Sequence, residues 1–217
     1  MRVEADPYGP LGANLYVVEH LERYLLIDPC VRPSKCPVDV PLDRIDAIVI
    51  THGHFDHIIF ADSWLDAVKE VCSKAPGLYI HSLDMPCLDD PELNLSAEFG
   101  YDIRVAAVAR DINELNGKTF PFDSGDGAEI SIIHTPGHSR GEVCIGLKTR
   151  DEHLLFTGDM LFAGSVGRHD FVTSDPSDMM ASVEILKKLP DNIKVYPGHG
   201  PSTTIALEKQ YNPFFSL

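Results

Sequence analysis

Residues 45–57 read IDAIVITHGHFDH. Apart from Asp46, the first six are apolar and largely β-branched, the pattern of a buried strand. The next seven set three histidines and an aspartate directly at its end. Buried polar groups cost free energy unless something partners them, so a purely structural core has little use for such a cluster. A tight loop with Gly53 between His52 and His54 can aim both imidazoles at one point, and such a pair fits a zinc site. Asp56 and His57 lie just beyond, aimed at a second point.

Three more stations repeat the arrangement of a polar group in a loop after a strand. TPGHS (135–139) places His138, FTGD (156–159) places Asp159 and YPGHG (196–200) places His199, each beside glycine or proline. Any one alone is ordinary turn chemistry. Together with 51–57 they form a constellation of metal donors.

The rest of the chain supplies the scaffold. NLYVVE (14–19) and YLLID (24–28) flank a short HLER turn and predict a hairpin. The prolines from Pro29 to Pro37 predict a loop. Trp64, Leu65, Val68 and Val71 recur at helical spacing within 60–73, and 78–80 predicts a strand. Residues 84–99, rich in Pro, Asp and Asn, predict an irregular excursion. Strands follow at 105–108, 118–122, 128–134, 143–147 and 153–156. A helix over 177–189, capped by Asp175 or Ser177, carries Met180, Val183, Leu186 and Leu189 on one stripe. A strand at 193–196 then leads to PGHGP and a terminal helix. Strands in two halves, each followed by helices, predict two sheets between helical layers.

Composition excludes several classes of function. A formal charge of −15 repels phosphate backbones and argues against a nucleic-acid partner. No apolar run approaches the ~18 residues of a membrane span. MRVEADPYGP lacks the apolar core of a signal peptide, which predicts a cytoplasmic protein. Five cysteines without a CxxC pair predict reduced thiols, neither a disulfide framework nor a cysteine zinc site. No feature of the sequence specifies an oligomeric state.

THGHFDH resembles the HxHxDH signature of the metallo-β-lactamase superfamily, and TPGHS, TGDMLF and YPGHG resemble its later motifs in their usual order. HTPGHSRGEV, LFTGDMLFAGSVGRHDF and YPGHGPSTTIALEKQYNPFF most resemble the short glyoxalase II-like hydrolases. The resemblance implies an α+β fold, a four-layer αβ/βα sandwich with two mostly antiparallel sheets. It also implies a single domain over residues 1–217, without the C-terminal helical domain of full-length glyoxalase II. By the same resemblance His52, His54 and His138 bind one metal, Asp56, His57 and His199 bind the other, and Asp159 bridges them. The donor inventory agrees, since seven such groups suit two divalent ions about 3.5–4 Å apart. Zinc is the expected metal, with iron and manganese also compatible.

Two such ions would lower the pKa of a shared water to give a bridging hydroxide, with Asp56 as the catalytic residue that orients the nucleophile and receives its proton. The resemblance implies a small thioester substrate, an acyl-glutathione such as S-lactoylglutathione. A lactonase or other ester hydrolase would use the same centre, and a non-catalytic metal-binding module is the alternative of another class. Arg168 and His169, in GRHDF after Asp159, are the candidate substrate contacts, with Lys209 a further cation and an Arg168–Asp170 structural pair the competing reading. Asp28 is either a support for the metal ligands or a turn residue. His81 and His134 are expected to be structural, His20 and His153 solvent-facing.

Overall fold

The computed structural model describes residues 1–8, 11–73, 75–122 and 127–216. The first sheet contains β1 (Arg2–Tyr8), β2 (Ala13–His20), β3 (Arg23–Ile27), β4 (Ile45–Val49), β5 (Gly77–Ile80) and β6 (Ala109–Asp111). The second contains β7 (Thr119–Phe120), β8 (Ala128–His134), β9 (Val143–Lys148), β10 (His153–Gly158), β11 (Lys194–Pro197) and β12 (Thr203–Thr204). Strands lie side by side in chain order within each sheet. Four α-helices lie among the described residues: α1 (Phe55–Ile58), α2 (Ala61–Val71), α3 (Pro176–Leu186) and α4 (Ile205–Tyr211).

Three apolar clusters define the four layers. Leu15 and Val17 of β2, Leu26 of β3 and Ile48 of β4 pack with Trp64, Leu65 and Val68 of α2. Their chain neighbours Tyr16, Val18, Leu25, Ile27, Ala47 and Val49 turn the other way, against Ile145, Leu147, Leu154 and Phe156 of the second sheet. On the far face of that sheet Cys144, Leu155 and Val195 meet Met179, Val183 and Leu186 of α3. Side chains alternate across a strand, so strands buried on both faces read as continuous apolar runs. Each large aliphatic side chain buried here contributes on the order of 1.5–3 kcal/mol.

The second sheet is mostly antiparallel, as expected, with one parallel pairing, β10 with β11. The first is mixed: β1–β2 and β2–β3 are antiparallel, but β3–β4, β4–β5 and β5–β6 are parallel. The cause is connection length. Parallel neighbours need a crossover of a dozen or more residues, supplied here by the proline-rich loop after β3, by α1 and α2, and by the excursion after β5.

Local readings shift in three places. Val105 is buried without joining the sheet, Val108 is exposed, and pairing begins at Ala109. The reason is Asp62, whose carboxylate accepts the N–H groups of Ala106 and Ala107 and holds that stretch off the sheet. The inward stripe of α3 is Met179, Ser182, Val183 and Leu186, with Met180 only half-buried. Pro176 opens that helix and Asp175 caps it, accepting from Ser177 N and Asp178 N. Val71, the last residue of α2, is exposed. Among the described residues no helix is long and apolar enough to cross a membrane.

Candidate metal centre

Four loops converge where the two sheets meet, and each follows the C-terminal end of a strand. The loop after β4 carries His52 and His54 and runs into α1, which presents Asp56 and His57. The loops after β8, β10 and β11 bring His138, Asp159 and His199. All are buried except His199, which is half-buried.

The donor atoms fall into overlapping sets within 4.8 Å: His52, His54 and His138; Asp56, His57 and His199; and His52, His57 and Asp159, which joins the other two. His54 Nδ1 lies 2.8 Å from His138 Nε2. Asp159 Oδ1 is 3.4 Å from His57 Nε2, while its Oδ2 is 3.4 Å from His138 Nε2 and 3.5 Å from His199 Nε2. Asp56 Oδ2 is 3.3 Å from His199 Nε2.

These residues fit divalent ions on a test internal to the structure. His52 Nε2, His57 Nε2 and Asp159 Oδ1 are buried without a hydrogen-bond partner. Orphaned buried polar atoms are rare in native proteins and call for an explanation such as an ion. The nitrogens on the far side of the rings are held. His57 Nδ1 bonds Asp28 Oδ2 at 2.9 Å, His138 Nδ1 donates to the carbonyl oxygen of Arg168 at 2.7 Å, and His52 Nδ1 lies 3.1 Å from Thr51 Oγ1. Such bonds fix ring orientation and leave the opposite nitrogen for a metal.

The electrostatics divide the histidines. Burial, reinforced by neighbouring imidazoles, holds His52 and His54 well below the usual imidazole value. Burial likewise lowers His138, against the opposing pull of Asp159. These three are neutral, the form that ligates. Burial also opposes a charge on His57, but Asp56, Asp159 and Asp28 outweigh it and raise His57 well above that value in the metal-free chain. His199 is raised for a similar reason, with burial overcome by its bond to Asp56 and by Asp159. Burial resists ionisation of Asp159, yet His57, His138 and His199 hold it below the ordinary carboxylate range.

Residues outside the donor sets hold them in place, Asp28 among them. Asp28 sits at φ 53°, an uncommon left-handed conformation for a residue other than glycine, with its carboxylate on Thr51 N (2.8 Å), Thr51 Oγ1 (2.7 Å) and His57. It is therefore a support for His57 and for the start of the loop that carries His52. Asn14 and Tyr16 both bond the carbonyl oxygen of Pro197 and so hold the PGHG loop. Glu142 accepts from Asp159 N at 2.7 Å, and burial, with Asp159 nearby, keeps its carboxyl well above the usual range. Gly198 is required by close approach: a Cβ there would lie 2.2 Å from Asp159 Oδ1 and 2.8 Å from His57 Cε1. Asn14 and Glu142 are single polar residues whose roles lie in contacts made only in the fold, so the sequence alone does not assign them.

The candidate substrate contacts lie outside the donor cluster. Arg168 forms a two-bond pair with Asp170 (2.9 and 3.1 Å) and its guanidinium lies 4.2 Å over the Phe171 ring. Phe171 stands edge-on to His54 and His138, with centroids 5.4 and 5.7 Å apart, which places Arg168 one ring away from the donor cluster. His169 Nδ1 is 3.2 Å from the Gly167 carbonyl oxygen. Lys209 is committed to Asp191 and the Leu189 carbonyl oxygen. His81 and His134 stack face to face with centroids 4.3 Å apart. The five cysteines are free thiols.

Residues 8–199 match the metallo-beta-lactamase superfamily, and the chain belongs to it. A "probable metallo-hydrolase" of Streptococcus pyogenes is 34% identical over 207 residues, covering 94% of this chain and 86% of that protein. The hydroxyacylglutathione hydrolase GloC of Haemophilus influenzae is 41% identical over a shorter stretch of 92 residues, 42% of each chain. Among solved structures, the BLEG-1 B3 metallo-beta-lactamase superposes with a TM-score of 0.84 at 31% identity over 100% of both chains. TTHA1623, in a di-iron-bound form, gives 0.76 at 33% identity over 98% of this chain and 100% of its own. Family and donor sets together define a dinuclear metal-dependent hydrolase.

Proposed function

We propose that the chain hydrolyses a small thioester of the acyl-glutathione type, with His52, His54 and His138 holding one ion, Asp56, His57 and His199 the other, and Asp159 between them. Zinc is the first choice of metal, although the di-iron form of TTHA1623 keeps iron in view. Divalent ions bound there would bring the pKa of a water close to neutral and polarise an acyl oxygen.

The chain supplies the rest. Asp56, next to His199 Nε2 on the open side of the cluster, orients the attacking water and takes up its proton. Asp28 and Thr51 keep His57 turned inward, and the Arg168 carbonyl oxygen does the same for His138. The acyl carbon gains the water oxygen, the carbon–sulfur bond breaks with its electron pair going to sulfur, Asp56 releases its proton to solvent and the thiolate takes one up there, and the products are a carboxylic acid and a thiol.

The observation that carries this reading is the commitment of the titratable groups. Among the described residues, those in the cluster are donors toward the ions, and Asp28 and Glu142 are bonded to the cluster's own backbone or side chains. Asp28 and Glu142 are also fully buried, so among the described residues neither is exposed to protonate a strongly basic leaving group, even though the Glu142 carboxyl is held well above the usual range. A thiolate, conjugate base of a group with pKa about 8.5, leaves without such an acid. The partial match to a hydroxyacylglutathione hydrolase supports the same substrate class. β-Lactam hydrolysis is the second reading, favoured by the full-length superposition on a B3 metallo-beta-lactamase.

The test is a panel of S-lactoylglutathione, uncharged thioesters, lactones and β-lactams offered to zinc-loaded and iron-loaded protein. Thiol release should dominate. Turnover of β-lactams or lactones with no thiol release from any thioester would refute the assignment.

A further inference from the structure

Asp84 lies in the excursion between β5 and β6, a segment that contributes no donor to the centre, and its side chain is fully buried. Its Oδ2 accepts from the Gly53 N–H at 2.9 Å and from the Ser139 hydroxyl at 2.6 Å. Its Oδ1 accepts from the Gly141 N–H at 2.6 Å. Gly53 separates His52 from His54, while Ser139 and Gly141 follow His138. One carboxylate thus joins the two loops that bear the three neutral histidines, one loop from each sheet.

The carboxylate is itself fixed. Asp84 N–H donates to the His81 carbonyl oxygen at 2.9 Å, and Cys87 N–H donates to the Asp84 carbonyl oxygen at 3.0 Å. Cys87 closes the space over Gly53, where a Cβ would lie 2.5 Å from Cys87 Cβ. A Cβ on Gly141 would lie 2.7 Å from Asp84 Cγ, so neither loop has room for a side chain at the residue that meets the carboxylate. Further along the excursion, the Asn94 carbonyl oxygen accepts from Phe55 N at 2.9 Å, immediately after His54.

We propose that Asp84 is a positioning residue that sets the geometry of His52, His54 and His138, and that the first ion depends on its two acceptor oxygens and not merely on its volume. The inference rests on the ligand assignment made under the proposed function. It does not rest on the substrate. Asparagine has nearly the same shape but one acceptor oxygen, and its amide must point N–H at N–H toward either Gly53 or Gly141. The second set is supported separately, through Asp28 and through the bonds of Asn14 and Tyr16 to the PGHG loop.

The experiment compares wild-type protein with Asp84→Asn and Ser139→Ala. Metal-free samples are titrated with Zn²⁺ against a chromophoric chelator and with Co²⁺, whose absorption reports ligand geometry. Removing an outer partner of a metal ligand lowers affinity by roughly 10–100-fold. Asp84→Asn should show that loss at one site, with an altered Co²⁺ spectrum, while the other ion binds within a few-fold of wild type. Ser139→Ala, which removes one of the three bonds, should show a smaller loss at the same site and covers the case in which Asp84→Asn does not fold. In a His199→Ala background, where the remaining site is the His52–His54–His138 set, the loss should persist. Two ions bound with wild-type affinity and spectrum, or equal weakening of both sites, would overturn the proposal. No substrate enters these measurements, so a chain that turns over no thioester still gives a clear answer about Asp84.

Discussion

Replacing Asp28 by asparagine should weaken the second ion more than the first, which Asp28 reaches only through Thr51 and His52. The Asp28 carboxylate spends Oδ1 on the Thr51 N–H and Oδ2 on Thr51 Oγ1 and His57 Nδ1. The backbone N–H cannot reverse its role, so the asparagine oxygen stays on it and the amide nitrogen takes the position facing His57. That nitrogen donates to Nδ1 and drives the imidazole proton to Nε2, the atom that must be bare to hold a metal. Loss of such an outer partner lowers metal affinity by about 10–100-fold, equivalent to roughly 1.4–2.7 kcal/mol. The metal-free fold loses a buried hydrogen bond to a charged group as well, worth about 1.5–3 kcal/mol. Chelator-competition titration with zinc, read beside thermal unfolding of the metal-free protein, separates the two quantities. Retention of both ions at wild-type affinity would show that His57 does not depend on Asp28 for its tautomer.

Asp159→Ala should weaken both ions together, because its oxygens face His57 on one side and His138 and His199 on the other, whereas His199→Ala should empty mainly the second site; elemental analysis after gel filtration distinguishes the two patterns. The metal-free chain should be most stable near the ordinary imidazole pKa of about 6.5. His57 and His199, raised in the fold, contribute stability that is present below that value and lost as pH rises through their folded pKa. His52, His54 and His138, lowered in the fold, contribute stability that is lost as pH falls below it. Urea midpoints between pH 5 and 8 check this, and a monotonic rise or fall across that range contradicts it. Arg168→Ala should raise KM for an anionic thioester with little change in kcat, the signature of lost uniform binding, and should leave an uncharged thioester almost unaffected; equal losses on both would make Arg168 a structural partner of Asp170.

The convergence of the seven residues was legible because the four stations that carry them each begin in a short loop with glycine or proline after a strand, a combination that turn chemistry alone does not repeat four times. The central strands were legible for a related reason: burial on both faces leaves unbroken apolar runs such as IVI and YLLI. The edges were not. β1 carries Pro7, which has no N–H to pair and is tolerated on an edge strand, so its sequence lacks a strand's usual pattern. β6 was displaced from the apolar run at 105–108 by the bonds from Asp62, a partner 44 residues away in the chain. Asp84 and Glu142 were hidden for the same reason, since their significance lies in backbone N–H groups that come near only in the fold. Chain order left Asp28 as a turn residue or a support, and the fold shows it as both, at φ 53° with its carboxylate on Thr51 and His57.

Each sheet is built from one uninterrupted half of the chain, with strands paired in the order in which they are connected. Either half can therefore assemble from contacts between strands close in sequence, and the face-to-face docking of the halves is the principal closure over long chain separations, the slow kind of step in folding. His52, His54, Asp56 and His57 belong to the first half, and His138, Asp159 and His199 to the second. Neither proposed ion has a full ligand set before the halves dock. Metal bound across that boundary favours the docked state by mass action, so metal supply becomes a control on how tightly the two halves of this protein stay closed.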